Sequence, residues 1–179
     1  MEVTKLSVVS DRVFSYYPII PNWGMITRVP LQLILATIHQ ESGGQTTASR
    51  KEPGYLENYG KSAKFQHIVH ATGYAPEEVA CSYGLMQLML PLAWGYMSPQ
   101  HRNSSAKEVL YDADMNIRYG AAHLATLIEK IKGPAPRDHY YELSDLEVRD
   151  VAGRYNGGGR NSKYAYNISY LYKKYGMSI

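Results

Sequence analysis

Apolar residues recurring every three or four positions mark out a succession of helices along this chain. From Pro30 to Gly44, PLQLILATIHQESGG, the residues Leu31, Ile34 and Ile38 fall on one stripe, and the next position on it is Glu41. Proline is tolerated at the first helical position and Gly43-Gly44 supplies a stop, so this segment predicts a helix of about three turns. Later, Ile117, Ala121, Leu124, Ile128 and Ile131 keep spacings of four, three, four and three before Gly133. That is the clearest helix of the chain and the expected centre of the core. Lys5 to Tyr17 places Leu6, Val9, Val13 and Tyr16 on one face, closed by Pro18. Ser82 to Met97, SYGLMQLMLPLAWGYM, is apolar on nearly all sides and predicts a buried helix that Pro91 kinks or ends. A further helix starts near Ser144, with Asp145 and Glu147 in its first turn where acids favour the dipole, and runs into Tyr155-Asn156. The last helix places Tyr164, Ile168, Leu171 and Tyr175 on one face and ends at Gly176.

Between these elements the signals are of turns and loops. The run PIIPNWGM, with two prolines and a glycine, reads as a bend leading into the Glu41 helix. A polar loop, QTTASRKEPGY, precedes a helical patch from about Leu56 to His70 that Thr72-Gly73 breaks, and Pro76 opens a short turn. A proline-rich connection, GPAPRDHYY, follows Lys132. No period-two alternation is long enough to predict a sheet, and no internal repeat or low-complexity tract occurs. The expectation is an all-α, mainly helical fold in one domain over residues 1–179, with 1–29 as an N-terminal packing helix and lead-in.

Composition narrows the function classes. At 179 residues, 45% apolar and 20% charged, the chain suits a single globular domain. It carries 17 Tyr against 2 Phe, and a tyrosine offers a flat apolar face with a hydrogen-bonding edge, suited to stacking on sugars or to a wet half-buried surface. The net charge of +3 comes without any Lys/Arg run of the kind that tracks phosphates, so no nucleic-acid partner is expected. Cys81 is the single cysteine, so no internal disulfide forms. The start, MEVTKLSVVSDRVF, lacks a basic-then-apolar signal pattern, and no apolar run approaches the roughly 18 residues of a membrane span.

Glu41 is the first candidate for chemistry. A carboxylate beside apolar side chains at a helix C-terminus is discouraged from ionising by desolvation and by the negative end of the helix dipole. Those conditions suit a general acid near neutral pH. From this helix alone the alternative stands that Glu41 lies just past the last turn and faces water. Other chemistries lack their residues. HQE at 39 to 41 has no second histidine of a metalloprotease helix, and His67 with His70 is a bare i, i+3 pair. YNGGGR follows a helix and carries no Gly-Lys-Ser/Thr, so it is no phosphate loop, and no GxSxG elbow is present.

Four stretches in order carry a family resemblance. They are Glu41-Ser42 closing an apolar helix, Gly84-Leu85-Met86-Gln87, then Ala152-Gly153-Arg154-Tyr155-Asn156-Gly157-Gly158, and Tyr164 in an amphipathic last helix. In order and context they resemble the motifs of the soluble lytic transglycosylases. The resemblance spans about Pro30 to Tyr172 and includes NIRYGAAHLATL, which is similar to the family's central helix. It implies a lysozyme-like, mainly helical fold and cleavage of peptidoglycan glycan strands.

Carried over residue by residue, the resemblance makes Glu41 the catalytic acid and Ser42, Gly84, Met86, Gln87, Tyr155, Asn156 and Tyr164 the substrate-binding set. Glycine would let backbone approach the saccharide, Met86 would offer an adaptable apolar contact, and Gln87 would donate and accept hydrogen bonds. From the residues alone, Met86 and Leu85 can equally be core, and Tyr164 can simply fill its helix stripe. The sequence departs from the family pattern at Arg154, at Leu90-Pro91, and in the long segment from Gly43 to Cys81. That insertion resembles a branch found in bacteria and their phages, including the EPGY run at 52 to 55, and the place of Glu52 is open.

The mechanism implied is one carboxyl acting twice, as acid and then as base, to leave a 1,6-anhydro muramic end with no metal or cofactor. The alternatives are a muramidase, with Glu52, Glu57 or Asp112 as second carboxylate, and a non-catalytic peptidoglycan-binding virion component. The expected setting is the bacterial cell wall; the lack of a signal pattern in this chain fits a phage lysis or virion enzyme and equally a bacterial enzyme trimmed of its leader, and a monomer is expected.

Overall fold

The computed structural model describes residues 10–134 and 139–179. Leu6 and Val9 of the expected N-terminal helix lie outside the described residues, as do four residues of the proline-rich connection. Within them the first helix is α1 (Asp11–Phe14), which buries Val13. PIIPNWGM forms a second helix, α2 (Ile20–Thr27), where a bend was expected. The reason is placement, since Pro18 precedes the helix and Pro21 occupies its first turn, where the missing N–H breaks no intrahelical bond. Trp23 then donates its Nε1–H to Asp114 Oδ1 at 2.6 Å, tying this helix to the central one.

The Glu41 helix is α3 (Leu31–Ser42), closed by Gly43. Leu33 through Ile38 are all buried, so its middle is surrounded on every side. Each fully buried Leu or Ile contributes about 1.5–3 kcal/mol. Beyond it run the short strand β1 (Ser49–Lys51) and the helices α4 (Pro53–Tyr59), α5 (Ala63–Thr72) and α6 (Pro76–Val79).

The stretch from Ser82 to Met97 is buried as expected but is not one helix. It divides into β2 (Cys81–Tyr83), a four-residue turn, β3 (Leu88–Met89) and α7 (Leu90–Ala93), and Pro91 opens α7 instead of kinking a longer helix. Two residues of the turn take positive φ, Gly84 at 77° and Gln87 at 46°, which no right-handed helix accommodates. The three strands form an antiparallel sheet in the order β1-β2-β3, with Arg50 opposite Ser82 and Ser82 opposite Met89. No sheet was expected, because strands of two and three residues are too short to show period-two alternation.

After a 3₁₀ turn at Pro99–His101 come α8 (Ala106–Tyr111) and the central helix α9 (Ala113–Lys132). Asp112 caps α9 by accepting from Met115 N–H at 2.9 Å. Ser144 and Glu147 form a capping box at the start of α10 (Asp145–Asn156), and Ser162 caps α11 (Lys163–Gly176). α11 packs most extensively on α3 and then on α10, while α9 lies against α2, α8 and α10. Thus α3 is held with its C-terminal turn facing α11 on one side and the small sheet on the other. Among the described residues no helix is long and apolar enough to cross a membrane.

Candidate active site

Glu41 occupies the last turn of α3 and is partly buried. It lines a cleft of about 140 Å³ shared with Gln87 from the turn, Tyr155 and Asn156 from α10, and Arg50, Glu52 and Ser82 from the sheet and its edge. Tyr164, in the first turn of α11, donates its hydroxyl to Glu41 Oε1 at 2.5 Å. Burial raises the Glu41 carboxyl above the usual carboxylate range; the Tyr164 hydroxyl and the nearby Arg50 charge oppose that shift, and the Glu52 charge adds to it. The Tyr164 phenol is pushed far upward by burial and then by the Glu41 charge beside it, so it remains a donor at any working pH.

Tyr155 reaches across to the turn and donates its hydroxyl to the Met86 carbonyl at 2.7 Å. Its ring stands 5.2 Å from that of His123 on α9. Burial lowers His123 to about 4, so a neutral imidazole backs Tyr155 over the whole physiological range. His123 Nδ1 lies 3.1 Å from the Tyr96 hydroxyl, which also bonds the Thr126 hydroxyl. Tyr155 is thereby fixed at both ends.

The turn itself is held from behind. Asn116, fully buried on α9, accepts from Met86 N–H at 2.8 Å and donates to the carbonyls of Leu110 at 2.7 Å and Tyr83 at 3.0 Å. Gly84 sits on this side chain, and a Cβ there would stand 2.1 Å from the Leu110 carbonyl oxygen and 2.3 Å from Asn116 Nδ2. Gln87 donates from its amide to the carbonyls of Ala48 and Gly84 at 3.0 Å each, which supports its left-handed backbone. Ser42 bonds the Leu85 carbonyl at 2.7 Å and so stitches the end of α3 to the same turn.

The expected site residues therefore divide into two groups. Glu41, Gln87, Tyr155 and Asn156 meet at the cleft, and Tyr164 bonds directly to Glu41. Ser42, Gly84 and Met86 lie behind it. The Met86 side chain is fully buried against Gly120, where an added Cβ would stand 2.2 Å from Sδ, so it faces the core and not the cleft. Met89 and Leu92 are the apolar side chains that line the opening. Of the acids weighed as a second carboxylate, Glu52 lines the cleft, Glu57 is exposed on α4, and Asp112 is occupied as a helix cap.

Sequence reasoning passed over Arg50 and Asn116. Arg50 lies in a polar loop with no periodicity to single it out. Asn116 did carry a signal, a polar residue on the stripe of small and apolar residues formed by Gly120, Ala121 and Leu124.

A carboxyl whose hold on its proton is strengthened by burial, a phenol aligned on it, and an amide and a tyrosine on the facing wall form an arrangement able to deliver and recover a proton in the cleft. Comparison with curated proteins and with solved structures gives no match. The family model described as the transglycosylase SLT domain does match, over residues 19–177, nearly the whole chain. The chain belongs to the transglycosylase SLT domain family.

Proposed function

We propose that this protein is a peptidoglycan lytic transglycosylase in which Glu41 serves first as acid and then as base. The observation that carries the reading is the partly buried Glu41 carboxyl, raised by desolvation and gripped at Oε1 by Tyr164, on the wall of a cleft lined by Gln87, Tyr155 and Asn156. Protonated Glu41 donates to the glycosidic oxygen between N-acetylmuramic acid and N-acetylglucosamine, and the bond from C1 to that oxygen breaks. The muramic acetamide oxygen closes on C1 as the cation develops. The Glu41 carboxylate then takes the proton of the same sugar's 6-hydroxyl, whose oxygen attacks C1, displaces the acetamide and completes a 1,6-anhydro ring. No water is consumed, and Glu41 ends protonated for the next cycle. Positioned acid–base catalysis of this kind contributes about 10²- to 10⁴-fold.

In this scheme Tyr164 keeps the carboxyl in one rotamer and leaves Oε2 for the proton transfers. Asn156 and the acceptor oxygen of Gln87 bind the sugars, and Ser42, Asn116 and Gly84 hold the turn that presents Gln87. The site of action is the bacterial cell wall. Glu52 on the same cleft favours one second reading, a muramidase in which Glu52 places a water.

Glu41→Gln tests the assignment. The amide cannot donate the proton, so clearing of purified cell walls should fall by at least about 10²-fold with the fold intact. The raised carboxyl binds its proton more tightly in the folded than in the unfolded state, so the parent loses stability as pH rises from the ordinary carboxylate value through the raised one. The variant should therefore become the more stable of the two by a margin that grows over that window. Wall clearing by Glu41→Gln at the parent rate would sink the reading.

A further inference from the structure

Arg50 is the cleft residue to which neither the family pattern nor the chemistry above gives a role. It sits at the centre of β1, directly opposite Ser82 on β2. Its Nε–H bonds Glu52 Oε1 at 2.7 Å, and the same oxygen accepts from Ser82 Oγ at 3.1 Å. The guanidinium is thus anchored along one edge by a carboxylate that is itself fixed to the neighbouring strand. Its terminal nitrogens make no hydrogen bond among the described residues, and the side chain remains 56% exposed. The group lines the same cleft as Glu41, and the two charges are close enough to interact.

A planar guanidinium held at Nε presents its remaining N–H groups as a fork matched to a carboxylate, which it binds through two parallel hydrogen bonds. Neutral sugar hydroxyls do not need such a fork, and a lysine or glutamine would serve them as well. The muramic residue differs from its neighbour in the strand by a lactyl arm. That arm ends in a carboxylate when bare; when a stem peptide is attached, that carboxyl is taken up in an amide bond and the stem supplies carboxylates of its own.

Resting on the function proposed above, we propose that Arg50, oriented by Glu52 and Ser82, is a specificity residue that binds a carboxylate borne by the muramic unit, on the lactyl arm or on the stem peptide. Glu52 offsets part of the arginine charge, so the preference is modest and arises from geometry. It is set at about tenfold, the worth of one hydrogen-bonded pair to a charged group.

The test compares kcat/KM on four preparations of glycan strands. These are strands stripped of stem peptides by an amidase, the same strands with lactyl carboxylates methyl-esterified, strands with intact stems, and intact strands with their stem carboxylates esterified. The parent should favour the free acid over the ester by about tenfold in one pair, and that pair identifies the source of the carboxylate. Arg50→Gln should bring that ratio close to one. Arg50→Lys, which keeps the charge beside Glu41 but loses the fork, should also lower it. Each ratio cancels any change that the substitutions make to Glu41 acidity, and circular dichroism checks that the exposed position has been altered without loss of fold. A parent ratio near one in both pairs, or a tenfold ratio that survives Arg50→Gln, overturns the proposal. Failure of the parent to cleave any of the four strands would instead count against the function itself, which separates the two outcomes.

Discussion

Glu41 and Tyr164 meet between two long helices, α3 and α11, whereas Gln87 and the residues behind it stand on a four-residue turn between strands of three and two residues. The first wall is fixed by apolar packing that would hold its helices together with or without the Glu41–Tyr164 bond. The second also buries Leu85 and Met86 completely, but the irregular backbone of the turn is fixed by buried hydrogen bonds, above all the three made by Asn116. Such bonds are individually modest when intact and expensive when one partner is lost. On the helical wall, therefore, function and stability should separate under mutation. On the turn they should not.

The most severe test of that contrast is Asn116→Leu. It leaves Met86 N–H and the Tyr83 and Leu110 carbonyls without their partner in a fully buried place. We expect a loss of about 3–5 kcal/mol in urea unfolding, with activity lost in step, from penalties of about 1–3 kcal/mol per orphaned group that do not add fully. A variant of parental stability would show that the turn is held by something else.

Tyr164→Phe probes the opposite wall. It removes one hydroxyl whose partner remains able to meet the cleft, so stability should change by under about 1 kcal/mol while kcat falls about ten- to thirtyfold. The sign of the pH effect follows from the bond. The phenol favours the charged carboxylate, so its removal raises the Glu41 pKa further. Activity that depends on protonated Glu41 is lost as pH rises through that pKa, and the alkaline limb of kcat/KM should move to higher pH. A shift to lower pH would contradict the role assigned to Tyr164.

Smaller and finer is the comparison of Gln87→Ala with Asn156→Ala. Gln87 donates to two carbonyls and supports a left-handed residue, so its truncation should cost about 1–2 kcal/mol of stability as well as activity. Asn156 is exposed at the end of α10, and its truncation should lower kcat/KM several-fold at unchanged Tm. Equal melting temperatures for the two would erase the distinction between the walls.

The same contrast explains what was legible in the sequence. The stripes Leu31, Ile34, Ile38 and Tyr164, Ile168, Leu171, Tyr175 report helices because burial against a neighbour repeats every turn, and Glu41 is found by continuing the first stripe. Resemblance of motifs marks Gly84 to Gln87, yet periodicity casts them as helix, because a strand as short as Cys81–Tyr83 has no repeat to read and the positive φ at Gln87 has no sequence signature. Ser42, Gly84 and Met86 belong to the turn and its support, although the motifs imply that they face the sugar. Their positions are set by what they pack on, Leu85, Asn116 and Gly120, and that pairing is tertiary. Arg50 and Glu52 enter the cleft only because β1 pairs with β2, which no local pattern announces.

Whether a single carboxyl closes an anhydro ring is decided by mass spectrometry of the muropeptides released from purified sacculi by the parent and by Glu52→Gln. Both should release anhydro muropeptides, one water lighter than hydrolysis products and resistant to borohydride reduction. Reducible products from the parent, whose formation stops in Glu52→Gln, would instead make Glu52 the base that activates water and overturn the one-carboxyl mechanism.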